Sequence, residues 1–265
     1  MTYFLDEATA LEGTGPGTFR LQSAPTYWNM FGAFGGWIVA SAVRAVLASD
    51  GARGNLVSVN AIFLASFKQE ALIVTTQPLS RRARTDFWRV SIATEAAPTA
   101  PVFSADIVMS EGRETDLAYD TPLPDAPAPE GMKRTDLSAG PAWQQRYDQR
   151  LIKGRPFKAA ERAYTLNWLR EVDGRPLDAV GLAAISDTYM PRTFFLCDTL
   201  RMGSTVSFSL NVHATAAELA AIGDDFLLMD GDSDVVGAGM YDQRGRIWSR
   251  SGKVIAITNQ IGFFK

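Results

Sequence analysis

The sequence predicts an α+β protein built twice over, each unit a buried helix laid against an antiparallel sheet. Three observations predict it. The stretch Trp28–Asp50, WNMFGAFGGWIVASAVRAVLASD, carries no charge before Arg44 and shows apolar residues at helical spacing. Runs rich in β-branched and aromatic residues follow it as a meander. A proline-rich break then separates halves of comparable size, and the second half repeats the order of the first.

Gly35 and Gly36 open the organising helix, and Ile38, Val39, Ala42, Val43, Val46 and Leu47 recur along it. A helix this apolar is buried around most of its circumference, so a sheet is expected to wrap it. Its glycines let a backbone or a ligand approach without an intervening Cβ. Its N-terminus offers unpaired N–H groups at the positive end of the helix dipole. Gly35 and Gly36 are therefore packing residues or oxyanion donors, and both readings stand at this point.

Upstream, Thr18–Gln22 reads as a short strand after the flexible GTGPG. Downstream, Leu56–Phe67, Ala71–Gln77, Thr85–Glu95 and Pro101–Met109 read as strands. One helix and a meander of long strands give an α+β layer pair. From Glu111 to Pro141 proline, aspartate and alanine dominate without a hydrophobic period, which marks a linker or a surface-hugging connection. The expected organisation is a first unit over 1–112, a connection over 113–141 and a second unit over 142–265. In the second unit Ala163–Val172 is read as a strand and Leu177–Ser186 as a helix. Strands are expected at Ser204–His213, Asp225–Met229, Val235–Tyr241 and Arg246–Ile257, with turns at Asp230–Asp234 and Asp242–Gly245.

The chain has 265 residues, of which 46% are hydrophobic, enough for a substantial core. Its net charge of −3 argues against a nucleic-acid binder that relies on overall charge. The N-terminus lacks the cationic start of a signal peptide. Arg44 interrupts the longest apolar run before it reaches the roughly 18 residues of a membrane span. Cys197 is the single cysteine, so neither an intrachain disulfide nor a thiolate cluster is available. A soluble cytoplasmic protein is the expectation.

The nucleophile elbow G-x-S-x-G, the phosphate-loop lysine motif and the dinucleotide glycine fingerprint are all missing from the sequence. His213 is the only histidine, which excludes a multi-histidine metal site, and it is read as structural. Cys197, in FFLCDTL, is read as a packing residue. Asp230, Asp232 and Asp234 alternate like the opening of a calcium loop. Val235 and Tyr241 occupy the loop's glycine and glutamate positions, so an acidic hairpin turn is the reading. Arg81, Arg82 and Arg84 form the strongest basic cluster: a solvated turn, or a phosphate contact if the protein binds a phosphorylated cofactor. Asp187 ends an apolar helix where the dipole disfavours a carboxylate, so it is a surface irregularity or a general base.

Several of these segments share their order with a known family. Phe34-Gly35-Gly36 before WIVASAVRAV, Ala184-Ile185-Ser186-Asp187 followed by Pro191, Gly203–His213, and Met240-Tyr241-Asp242 with Gly245 are the segments concerned. Over essentially the whole chain this order resembles the acyl-CoA thioesterases of the thioesterase II type, which have a double-hotdog fold. The resemblance implies hydrolysis of acyl-CoA to free acid and CoA by an activated water. It implies Asp187 as general base and Thr205 as the hydroxyl that orients the water, with Gly35 and Gly36 as candidate oxyanion donors. The family's glutamine aligns with Gly252, with Ser249, Ser251 or Asn211 as partial replacements and Gln260 too far along the chain. Arg81, Arg82, Arg84, Trp28 and Phe34 become candidate substrate-binding residues, and Phe31, Phe63, Trp88, Met190 and Phe194 further candidates for lining the pocket. No metal or redox cofactor is implied, and coenzyme A enters as part of the substrate. Neither nucleic acid nor membrane is an implied partner, and a homo-oligomer of double hotdogs is. The alternative is a weak or inactive hotdog protein that binds acyl-CoA or a related acyl ligand. Hydratase chemistry ranks last, because its Asp/His pair would rest on His213.

Overall fold

The computed structural model describes residues 2–30 and 32–265. In chain order the first half holds α1 (Phe4–Ala8), β1 (Leu11–Gly15), β2 (Thr18–Leu21), α2 (Gly35–Leu47), β3 (Asn55–Phe63), β4 (Leu72–Arg81), β5 (Thr85–Thr94) and β6 (Pro101–Ser110). The second holds β7 (Tyr147–Lys153), β8 (Thr165–Glu171), α3 (Ala179–Ile185), β9 (Gly203–Val212), α4 (Ala216–Ile222), β10 (Leu227–Asp232), β11 (Val236–Gly237), β12 (Met240–Trp248) and β13 (Val254–Phe264).

All the strands join one antiparallel sheet. Its order is β1-β2-β4-β5-β6-β3 and then β9-β13-β12-β10-β8-β7, with β11 on β12. The seam between the halves is β3 on β9, where Asn60 faces Ser209 and Ala61 faces Phe208. These are the VSVNAIF and VSFSLNV stretches, so the two segments that follow the two helices pair with each other. The architecture is a double hotdog.

Helix α2 is buried over nearly its whole length and packs on α3 and on the inner face of β4, β5 and β6. A Cβ on Gly36 would fall 2.5 Å from the Phe34 ring and against the carbonyl of Ala184 in α3. The glycine therefore allows a close crossing of the two central helices. Polar contacts fix that crossing from outside. Arg44 of α2 donates to Thr9 and to Asp6 of α1. Arg175, before α3, also donates to Asp6 and to Asp178. Asp178 caps α3 by accepting the Gly181 N–H at 2.7 Å.

Two expectations need correction. Strand β12 runs straight through Asp242–Gly245, and β10 continues through Asp230–Asp232 paired to it, where turns were expected. Gly245 marks a place where the Tyr189 ring lies on the strand, with no room for a side chain. The hairpin turn is at Ser249–Lys253, with Gly252 at φ +96°, and β13 begins only at Val254. The second correction is that α1, β1, β7 and α4 have no counterpart in the sequence reading. The α4 signal was present, since Thr215 and Glu218 form a capping box.

The Pro-rich connection hugs the surface. Its Leu123, Ala126 and Met132 pack on Leu166, Trp168, Phe226, Leu228, Trp248 and Val254 on the outer side of the second half. Trp168 Nε1 donates to Pro127 O at 2.8 Å, and Trp248 Nε1 to Thr121 O at 3.2 Å. Among the described residues no helix is long and apolar enough to cross a membrane.

Candidate active site

Asp187 stands just past the end of α3, its N–H on Ala184 O at 3.3 Å. The side chain is not a surface irregularity, for the residue is only 9% exposed. Its Oδ1 accepts from Gln260 Nε2 at 2.7 Å. Gln260 Oε1 in turn accepts from Thr205 Oγ1 at 3.1 Å. Thr205 comes from β9 and Gln260 from β13, and a bulge between Ile261 and Gly262 shifts the register beside them. Three polar side chains from three elements thus form one hydrogen-bonded row at the end of the central helix.

The N-terminus of α2 closes this row from the other half of the chain. The Gly36 amide lies on the carboxylate side of Asp187 and favours its ionised form. A Cβ on Gly35 would fall 2.5 Å from Asp187 Oδ2 and 3.1 Å from the Phe63 ring. Burial pushes the Asp187 carboxyl up to about 7, against the Gln260 and Gly36 hydrogen bonds that hold it down. A carboxylate balanced near neutrality can take and return a proton.

These positions revise the sequence reading. Gln260 is the glutamine beside Asp187, and Gly252 lies in the β12–β13 turn instead. Ser249 and Ser251 are bonded to each other in that turn at 2.9 Å, and Asn211 is exposed on β9 opposite Ile257. The displaced hairpin caused the misalignment: placing the turn early ended β13 short of Gln260. The alternation of VIAITNQIGFF up to Phe264 was the signal that could have found it. The Gly36 amide, a candidate oxyanion donor in the sequence reading, lies beside the carboxylate and favours its ionised form.

Phe34 is a core residue, 2% exposed, stacked on Trp143 with centroids 4.2 Å apart. Trp28 is half-buried against Phe67 and Trp37. Phe63 lies at the site over Gly35, and Met190 lines a cavity with Thr188 and Arg192. Phe194 packs on Phe157, and Trp88 is buried under Arg81. Phe31 lies outside the described residues. Arg81 and Arg84 bind the carbonyls of Asp50 and Gly112, and Arg82 is exposed beside them. This turn sits at the far end of α2, a helix about 20 Å long, so the three arginines are not gathered with Asp187. His213 is exposed at the end of β9. Cys197 Sγ meets the carbonyls of Thr193 and Thr199. Asp230, Asp232 and Asp234 each pair with a different arginine, Arg246, Arg162 and Arg244. Among the described residues no group of three or more His, Cys, Asp or Glu is arranged to hold a metal ion.

Comparisons with known proteins bear on the same chain. Residues 24–110 match the family model described as acyl-CoA thioesterase N-terminal domain, and residues 120–264 the one described as acyl-CoA thioesterase C-terminal domain. No curated protein matches significantly in sequence. Among solved structures, a hot-dog-fold protein of unknown function from Alicyclobacillus acidocaldarius is 29% identical, with a TM-score of 0.95, covering 100% of this chain and 99% of its own. A tesB protein of Mycobacterium avium subspecies paratuberculosis is 20% identical, with a TM-score of 0.82 and 98% of each chain covered. An acyl-CoA thioesterase II of Mycobacterium marinum is 19% identical, with a TM-score of 0.77 and 98% of each chain covered.

Proposed function

The chain belongs to the acyl-CoA thioesterase family, and from that premise we propose that it hydrolyses acyl-CoA thioesters with a water activated by Asp187. The observation that carries this reading is the row Asp187–Gln260–Thr205, buried at the end of α3 and joined by hydrogen bonds of 2.7 and 3.1 Å.

In the proposed step the water lies against Asp187 and the Thr205 hydroxyl. Asp187 takes one proton as the water oxygen attacks the thioester carbonyl carbon. The tetrahedral intermediate collapses, the C–S bond breaks, and the electron pair leaves with the CoA sulfur. The proton held by Asp187 neutralises that thiolate, so acyl-CoA and water give acid and thiol. Gln260 holds the carboxylate in one orientation throughout. The oxyanion role falls to Gly35, half-exposed at the first turn of α2, with the buried Gly36 amide beside the base. These groups complete the step without a metal or a redox cofactor, and coenzyme A arrives as the substrate's own leaving group.

A binder without turnover is the second reading. Its support was the missing glutamine, and Gln260 beside Asp187 takes that support away. Thiol release across a panel of acyl-CoA chain lengths tests the proposal. Asp187→Ala is expected to lose about 10²–10⁴-fold in turnover, the usual contribution of a general base, with its fold intact. Wild-type release at the background rate would overturn the hydrolase, and an unaffected variant would overturn the site.

A further inference from the structure

A cavity of about 100 Å³ lies against the segment that follows Asp187, with Thr188, Tyr189 and Met190 in its wall. It extends past Met229 of β10 and Asn167 of β8 to Gln149 of β7. One water-sized group needs roughly 10–15 Å³ of such space, so a short chain of several heavy atoms fits.

Its inner wall holds an unbalanced cation. Arg192 is 1% exposed, and its guanidinium donates only to neutral acceptors. These are the Met190 and Ala163 carbonyls, the Thr165 hydroxyl and the Gln243 side-chain oxygen, at 2.6–3.1 Å. The nearest acids are already taken: Asp230 pairs with Arg246 and Asp232 with Arg162. A buried charge without a counter-ion is costly, and burial accordingly pulls the Arg192 pKa down to about 10. Asn167 is 5% exposed, and its amide makes only a 3.5 Å contact with the next residue's carbonyl. That contact is at the limit of a hydrogen bond, so the amide is free to serve a guest. The one acid in the wall, Asp136, is exposed at the rim.

The cation is also close to the reacting centre. Gln243, which accepts from Arg192, stands directly opposite Gln260 in the β12–β13 pair. Gln260 holds Asp187. Directly opposed residues have Cβ atoms about 4.5–5.5 Å apart, so Arg192 and Asp187 are served by neighbouring strands on one face.

Building on the thioesterase reading, we propose that this cavity receives the acyl group and that Arg192, with Asn167, binds a carboxylate at its inner wall. The favoured substrates are then CoA thioesters of short dicarboxylic acids. Arg192 selects substrate and takes no part in proton transfer.

The test compares kcat/KM for the CoA thioesters of a six-carbon dicarboxylic acid and the matching monocarboxylic acid. Wild type is expected to favour the dicarboxylic thioester about tenfold or more, the scale of one charge-assisted contact. Arg192→Gln is expected to abolish that preference, with circular dichroism checking its fold. Asn167→Asp keeps the Arg192 clamp and places a fixed carboxylate in the cavity, so it is expected to abolish the preference even if Arg192→Gln fails to fold. Equal kcat/KM in wild type, or a preference untouched by Asn167→Asp, overturns the proposal. Calorimetric binding of both thioesters to Asp187→Asn separates the two readings. If wild type releases no thiol, the hydrolase reading falls; a retained binding preference then still supports the subsite, and equal binding overturns it.

Discussion

Burial raises the Asp187 carboxyl to about 7, and the hydrogen bonds from Gln260 and Gly36 keep it from rising further. Both act on reaction and stability, with opposite signs. A general base works ionised, so turnover is expected to rise with pH through about 7. Gln260→Ala removes a hydrogen bond that favours the ionised form, so the acid limb of the pH–rate profile is expected to move to higher pH as the rate falls. An unchanged limb would show that Gln260 does not tune the base. For stability, the folded pKa lies above the ordinary 3.8. The favourable contribution is complete below that value and is lost as pH rises through about 7. Asp187→Asn is therefore expected to be more stable than wild type at pH 8, by ~1–3 kcal/mol in denaturant titrations, with a smaller difference at pH 5. The same carboxylate that the proposed reaction needs is a cost to the fold.

Helix α2 was legible because an uncharged run with a 3.6-residue period has few other places to go, and the same holds for β3, β5 and β6 with their branched and aromatic residues. The close crossing of α2 and α3 was not, since sequence shows a glycine without showing what approaches it. Gly36→Ala sets a Cβ against the Ala184 carbonyl and the Phe34 ring, and is expected to destabilise by about 1–3 kcal/mol through overpacking. A variant as stable as wild type would show that the helices can separate at no cost. The β12–β13 hairpin was misread for a related reason. Asp242–Gly245 has turn composition, yet Gly245 is there to admit Tyr189, and the turn glycine is Gly252 at φ +96°. That single misplacement hid Gln260, which the structure places between Asp187 and Thr205, both named from the sequence.

Across the whole molecule the two halves share one sheet and one candidate site. The outward faces of β3 and β13, next to the seam, leave Ile62, Ile261 and Phe263 about half exposed, at 51%, 40% and 40%. We propose that copies of the chain assemble through this face. Light scattering is expected to give a multiple of 28.9 kDa, and Ile261→Asp with Phe263→Asp is expected to return it to the monomer. A monomeric wild type would overturn the assembly. The seam has one more consequence. Asp187, Thr205 and Gln260 all arrive with the second half, but the amide that favours the ionised base arrives with Gly36 of the first. A chain whose halves have not yet docked carries all three side chains without that partner. On the proposed mechanism the Gly35 oxyanion donor comes from the first half as well, so hydrolysis is expected only once the halves have docked.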